Sequence, residues 1–228
     1  MTILTRAEFD RQCEISLEFD RIDYNFQGFD EVRRSFTQWS DDSYKWAEFA
    51  SGVHLGLFDE AIYRDYSIKN KHDEFQMLVS KFYLSGHHAV VSPGIENVEA
   101  EYLEKAGQNY LFYLPNIKEI EQSFAGTSMQ EVRIHLDLNF LRSFVSKLDD
   151  VPQQLRPLIE QDDAPRFHRS VGKVTPMMRT IIKQMWQHPY QSAIRRSLPL
   201  RDRPYLFRRE SLGTISNAAF SISRIRTV

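Results

Sequence analysis

The chain has 228 residues, a formal charge of −2 at pH 7, and 42% hydrophobic and 13% aromatic residues. That length holds one substantial domain, or one domain with a small appendage, and the apolar content supplies a core, which excludes a wholly disordered chain. No apolar run approaches the roughly 20 residues of a membrane-spanning helix.

The charge is uneven. From Arg195 onward there are eight arginines against Asp202 and Glu210, so this tail is near +6 and residues 1–194 are near −8. An acidic body is a poor nucleic-acid platform. The opening stretch lacks a basic segment followed by an apolar one, and Cys13 is the single cysteine, which excludes an intrachain disulfide. A cytoplasmic location is the expectation.

Thr5-Arg-Ala-Glu8 is a capping-box pattern and predicts a short helix from about Arg6 to Cys13. Residues 15–50 show no clear period, and Trp39, Tyr44, Trp46 and Phe49 are expected to pack. From Ser51 the period becomes two. Val53, Leu55 and Leu57 alternate with His54, Gly56 and Phe58, and further short strands are predicted near 62–68, 75–84, 98–102 and 109–114. Val132, Ile134, Leu136 and Leu138 alternate cleanly with Arg133, His135 and Asp137. With turn chemistry at KNKHD, SPGIEN and AGTS, this reads as a small antiparallel barrel or sandwich.

Beyond Leu138 the period becomes helical, with Leu141, Phe144, Val145 and Leu148 on one stripe. Thr175-Pro176 is a cap followed by a first-turn proline. Met177, Met178, Ile181, Ile182, Met185 and Trp186 then share one face, which predicts a helix over 176–187.

Chemistry-bearing motifs are scarce. There is no phosphate loop, nucleophile elbow or paired-cysteine motif. His87 and His88 are adjacent, so on a strand they point to opposite faces. His72 lacks a second histidine two residues away, so neither place offers the ligand spacing of a barrel metal site. No catalytic residue, metal ligand or cofactor is assigned. The pairs Asp41-Asp42, Asp149-Asp150 and Asp162-Asp163 read as solvated or helix-capping. Phe82, Tyr83, Tyr102, Tyr110, Phe112 and Tyr113 read as core, with a ligand-cavity role as the alternative.

Residues 166–196, RFHRSVGKVTPMMRTIIKQMWQHPYQSAIRR, resemble the linker of AraC-type transcriptional regulators, in the pyochelin-regulator-like subgroup. The matching positions are His168, Thr175, Pro176, Met177, Pro189, Tyr190, Gln191 and Arg196. Ser192 stands where the subgroup has glycine. WAEFASGVHLGLFDEAIYRDYSI and FYLSG are similar to its barrel strands. The resemblance implies a cupin-like barrel that senses a small-molecule effector, a siderophore-like one in the subgroup's namesake. It also implies a helical linker for dimerisation and a DNA reader of about a hundred residues with two helix-turn-helix motifs.

After Arg196 the resemblance stops. Residues 197–228 are too few for such a reader, and their Arg-, Pro- and Ser-rich text reads as out of frame, with a basic phosphate-binding arm as the rival. The expected fold is α+β, a small cupin-like antiparallel β-barrel with flanking helices and a C-terminal helical linker. Its units are a lead-in (1–50), a sensor barrel (51–137), a linker (138–196) and a tail (197–228). The expected function is the sensing and dimerising part of a truncated regulator, not an enzyme, with Met178, Ile181, Ile182 and Met185 at the dimer seam. Expected partners are the effector and a second copy or an intact relative, with DNA only where the reader is present and no membrane. The alternative is a cupin-type small-molecule-binding or metal-dependent enzyme domain.

Overall fold

The structure, a computed structural model, describes residues 1–15, 21–24, 29, 31–50, 52–72, 74, 76–145, 148 and 151–187. Two sheets carry the fold. One holds β1 (Thr2–Thr5), β6 (Tyr66–Lys71), β8 (His87–Val91), β9 (Glu101–Lys105) and β11 (Lys118–Ser123) in the order β1-β6-β11-β8-β9. The other holds β2 (Arg21–Tyr24), β3 (Glu31–Phe36), β4 (Ser40–Ala50), β5 (Val53–Ile62), β7 (Met77–Ser85), β10 (Gln108–Tyr113), β12 (Ser128–Asp137) and β13 (Phe167–Lys173). Its order is β13-β10-β7-β12-β5-β4-β3-β2. Every pairing is antiparallel except β1 with β6. The fold is thus α+β, built as two facing sheets rather than one closed cylinder.

The expected helix at Thr5 is present as α1 (Arg6–Ile15). Thr5 Oγ1 accepts from the Glu8 amide at 3.2 Å, and Glu8 accepts from the Thr5 amide at 2.7 Å. Phe9, 1% exposed, packs with Trp39, Ile62, Tyr66 and Ile68. Asp137 caps α2 (Leu138–Phe144), accepting from the amides of Asn139 and Phe140. That helix ends before Leu148, so the stripe predicted through Leu148 is cut short. A 3-10 turn (Gln153–Leu155) leads into α3 (Arg156–Glu160). Helix α4 (Pro176–Gln187) starts at Thr175, whose Oγ1 accepts from the Met178 amide at 3.2 Å.

Three segments differ from the sequence-based reading. Residues 31–50, which show no apolar period, carry β3 and β4, the seventh and sixth strands in the larger sheet's order of eight. Their inward positions carry Arg33, Ser35, Asp42 and Tyr44, so polarity masks the alternation. Within the segment read as a helical linker, residues 167–173 form β13, paired with β10. Residues 98–100 lie in a turn region before β9.

The apolar alternation faces outward from the sandwich, not into it. Leu55, Leu57, Val132 and Ala47 are buried together with Ile182 and Val174, and Met185 and Trp186 pack against them. Helix α4 therefore lies on the outer face of the larger sheet. The same face receives α2 and α3, through Leu78, Leu138, Leu158 and Phe167. Each buried aliphatic side chain contributes on the order of 1.5–3 kcal/mol, so this covered face is a main source of stability.

Gly86 lets β7 turn into β8 and the chain pass from one sheet to the other. Its φ is 74°, and a Cβ there would stand 2.8 Å from the Met129 Cα and 2.9 Å from the Ser128 carbonyl. Left-handed backbone and a contact with rigid main chain both oppose a side chain. Gly86→Ala is expected to lower stability by roughly 2–4 kcal/mol in urea unfolding, the sum of the conformational and packing costs.

Candidate functional site

Because successive side chains of a strand alternate, the polar positions of the outward-facing apolar strands point inward. On β12 these are Glu131, Arg133 and His135, flanked across the register by Phe58 and Tyr83, Gly56 and Lys81, and His54 and Val79. The opposing sheet contributes Glu104, Glu119, Glu121 and His88. The sandwich interior is therefore an ionic cluster.

Lys81, 4% exposed, is at its centre. Its Nζ lies 2.7 Å from Glu104 and 3.3 Å from Glu131, and the Tyr83 hydroxyl donates to Glu104 at 2.8 Å. His168 Nε2 on β13 lies 2.7 Å from the other Glu104 oxygen. Arg133 grips Glu131 through two nitrogens. Burial acts to raise the pKa of Glu104, but Lys81 and then His168 outweigh it and hold the carboxyl well below its usual range. Burial likewise opposes ionisation of Glu131, and Arg133 and Lys81 reverse the sign. These groups stay charged because each is paired, which is the condition for burying charge at tolerable cost.

His168 is sandwiched among rings. Its centroid is 4.0 Å from Tyr102, 5.5 Å from Tyr110 and 5.8 Å from Phe112, each near parallel. A second centre lies around Glu119, where His72 Nε2 approaches to 2.8 Å, and Ser92 and Tyr102 donate at 3.2 and 3.4 Å.

One end of the interior opens into a cavity. Arg133 and Glu131 form one wall, Asp42, Tyr44, Phe58 and Glu60 another, and Glu121, His88 and Tyr66 the opposing sheet's side. Arg6 and Phe9 of α1 lie at its edge. Tyr66 donates to Glu60 in a short bond, and the Arg133 guanidinium stacks over the Phe58 ring at 4.3 Å.

The sequence-predicted residues separate. Of the four assigned to a dimer seam, Ile182 is 4% exposed and Met185 packs against the same buried cluster, both on this chain's own sheet. Met178 and Ile181 are 37% and 44% exposed beside Met177. Asp42 is corrected from solvated to cavity-lining, because its strand lies inside the sheet, whereas Asp162 and Asp163 are exposed. Asp149, Asp150, the motif residues 189–196 and the tail from 197 fall outside the described residues. His88 points inward and His87 outward, where it stacks on Phe124 at 5.1 Å. Tyr83 and Tyr110 are core with Met129. Among the described residues no three His, Cys, Asp or Glu side chains converge as a metal site. Glu60, Lys81, Glu104, Glu121, Glu131 and Arg133 were passed over because charged positions of an alternating strand read as solvent-facing. The available signal was the density of such positions on strands whose apolar face a later helix could cover.

Beyond Arg133, His54 and His135 sit directly opposite each other, with Trp46 stacked on one and edge-on to the other at 5.3 and 5.4 Å. Burial pushes their pKa values down to about 4 and about 3, with Arg133 adding to the effect on His135. Between those values and the unfolded 6.5 the folded protein binds fewer protons than the unfolded chain, so these groups cost stability as pH falls. The variant His54→Gln/His135→Gln is expected to gain on the parent by roughly 2 kcal/mol per imidazole between pH 7 and pH 5. Denaturant midpoints of both proteins at the two pH values measure this, and an unchanged difference would contradict it.

No helix among the described residues is long and apolar enough to cross a membrane. No curated protein matches the chain. Among solved structures, the AraC-like transcriptional activator CuxR shares 9% identity at a TM-score of 0.42, covering 80% of this chain and 57% of that one. A cupin domain from Bordetella pertussis Tohama I shares 10% identity at a TM-score of 0.30, over 41% of this chain and 91% of that one. The EutQ protein of Clostridium difficile shares 9% at 0.30, over 43% and 69%. The family described as Regulatory protein PchR N-terminal domain matches residues 39–197, well over half of the chain. The chain therefore belongs to the family of the regulatory protein PchR N-terminal domain.

Proposed function

We propose that the interior cavity holds a small organic effector and that its occupancy is passed to β13 and α4 through the buried ionic cluster. The observation that carries this is an unbroken chain of ion-pair and hydrogen-bond contacts. It runs from Arg133 and Glu131 on the cavity wall to Lys81, then Glu104, then His168 on β13. Only Val174 and Thr175 separate β13 from α4. Val174 is buried against the sheet and its amide donates to the Gly107 carbonyl at 2.8 Å, so the connection is short and anchored. A ligand that draws on Arg133 or Glu131 changes the partner left to Lys81, and the change reaches Glu104 and His168.

On this reading the domain binds and transmits and has no catalytic task, and it acts in the cytoplasm. Helix α4 serves two surfaces: Ile182, Met185 and Trp186 grip the sheet, and Met177, Met178 and Ile181 meet a second copy or an intact relative. That apolar row is exposed on a single helix face, the arrangement helix pairing requires.

Two measurements test the reading. Arg133→Met cuts the first contact of the chain while leaving β13 untouched. Amide hydrogen exchange is expected to rise several-fold more in residues 167–187 than in β6 and β11; a uniform rise, or none in 167–187, contradicts the coupling. Ile181→Glu is expected to leave stability within about 0.5 kcal/mol, as for an exposed position, and to convert dimer to monomer in sedimentation. A parent that is monomeric, or a variant that stays dimeric, removes the proposed seam.

A further inference from the structure

The charge and hydrogen-bonding state of the cavity narrows what can fill it, given the reading that this cavity is the effector site. Its arginines are already engaged. Arg133 grips Glu131, Arg6 reaches Asn70 at 2.7 Å and Glu121 at 3.6 Å, and the charge of Arg33 acts on Asp42. Among the described residues no cation forms an ion pair with Glu60. It stands directly opposite Asp42 in the β4–β5 register, the geometry in which like charges repel. It accepts a hydrogen bond from Tyr66. The other charges acting on it are Glu131, Glu121 and, in the opposite sense, Arg133.

Independent of the carboxyls, two other side chains on the wall are buried without hydrogen-bond partners. The Tyr44 hydroxyl is one, on a residue 6% exposed. His88, also 6% exposed, has neither ring nitrogen hydrogen-bonded among the described residues, its Nε2 standing 3.9 Å from Glu121, and burial pushes its pKa down, so it offers an acceptor nitrogen. Asp42 Oδ1 is a third unpartnered atom. A buried polar atom left without a partner costs on the order of 1–3 kcal/mol, so a ligand that supplies donors recovers that energy. Phe9, Phe58 and Tyr66 add flat apolar wall.

We propose that the cavity binds a flat, donor-rich organic cation, an aryl amidinium or guanidinium, with its positive group between Asp42 and Glu60 and its ring against Tyr44 and Phe58. The planar fork of such a group matches a carboxylate in two parallel hydrogen bonds, and its charge replaces the cation that Glu60 lacks. Its remaining N–H groups reach the unpartnered acceptors, and its π-face suits the aromatic wall. An anionic ligand would add charge to a site where carboxyls outnumber arginines.

The test uses benzamidinium, with benzamide as the neutral isostere and benzoate as the anionic one, titrated into the full chain and followed by backbone amide NMR shifts. Benzamidinium is expected to move residues around Asp42, Tyr44, Glu60 and Glu131, and benzoate is not. Burial, with Glu131 and Glu121 adding to it, pushes the Glu60 pKa up to about 7, so the carboxylate needed for binding is lost as pH falls. Affinity for benzamidinium is therefore expected to drop about tenfold between pH 8 and pH 6, and Glu60→Gln to weaken that dependence, leaving the part that Asp42 contributes. Should the variant fail to fold, the pH titration of the parent still decides. Benzoate binding as well as or better than benzamidinium, or benzamidinium binding with no loss toward pH 6, overturns the cation assignment and leaves the sensor reading standing. No shift at these residues from any of the three probes also overturns it. The hydrogen-exchange response to Arg133→Met judges the sensor reading separately.

Discussion

Lys81, held between Glu104 and Glu131, is the contact on which the interior depends. It joins the two sheets with a charge rather than with methyl groups. A buried ion pair of this kind gains little over a well-packed apolar replacement, whereas losing one partner costs several kcal/mol. Its consequence is chemical. An interior organised around ions must satisfy every member, and the members are drawn from β7, β9, β12 and β13. Strands far apart in the chain thus share a single set of partners, and a change at one is felt by the others.

The polar interior forces the apolar surface elsewhere. A strand has two faces, and if one holds Glu131, Arg133 and Lys81, the other must bury Leu55, Leu57 and Val132 against something outside the sandwich. Helix α4 meets that need at one end of the sheet and α2 with α3 at the other. The helix is therefore a structural requirement of the sheet as well as the last described element of the chain. On the proposed reading, a cavity signal reaches α4 without crossing an apolar core, because β13 is both the end of the ionic path and the strand that leads into the helix.

The cavity and the lysine cluster are parts of one electrostatic system with opposite states of completion. Around Lys81 each charge has its counter-charge, and Glu104 and Glu131 remain ionised. Around Glu60 and Asp42 the balance tips the other way, and burial together with neighbouring carboxyls favours the protonated form. Arg133 and Glu131 belong to both regions, being a cavity wall on one side and a partner of the lysine cluster on the other. On the proposed reading, a ligand completes the unsatisfied end and the satisfied end responds to the change.

Local features were legible from the sequence because their causes are local. Thr5 and Glu8 form the capping box, Thr175 caps α4, and the alternations at 53–57 and 132–136 are strands, since each depends on residues within a turn or two. The regulatory family was legible from motif residues such as His168, Thr175 and Pro176. What could not be read was the direction the strands face. A period of two marks two faces but does not say which is inside, and the ordinary assumption sent Glu60, Lys81, Glu131 and Arg133 to solvent. Asp42 and the strand that carries it were missed for the same reason. The stripe on α4 read as one surface from Met178 to Met185, and only its packing on the sheet divides it into a buried edge at Ile182 and an exposed edge at Ile181. By itself the sequence determined the capped helix starts, the clearly alternating strands at 53–57 and 132–136, and the family. Only the tertiary structure decided which face is interior, because that depends on a helix more than a hundred residues away covering the apolar side.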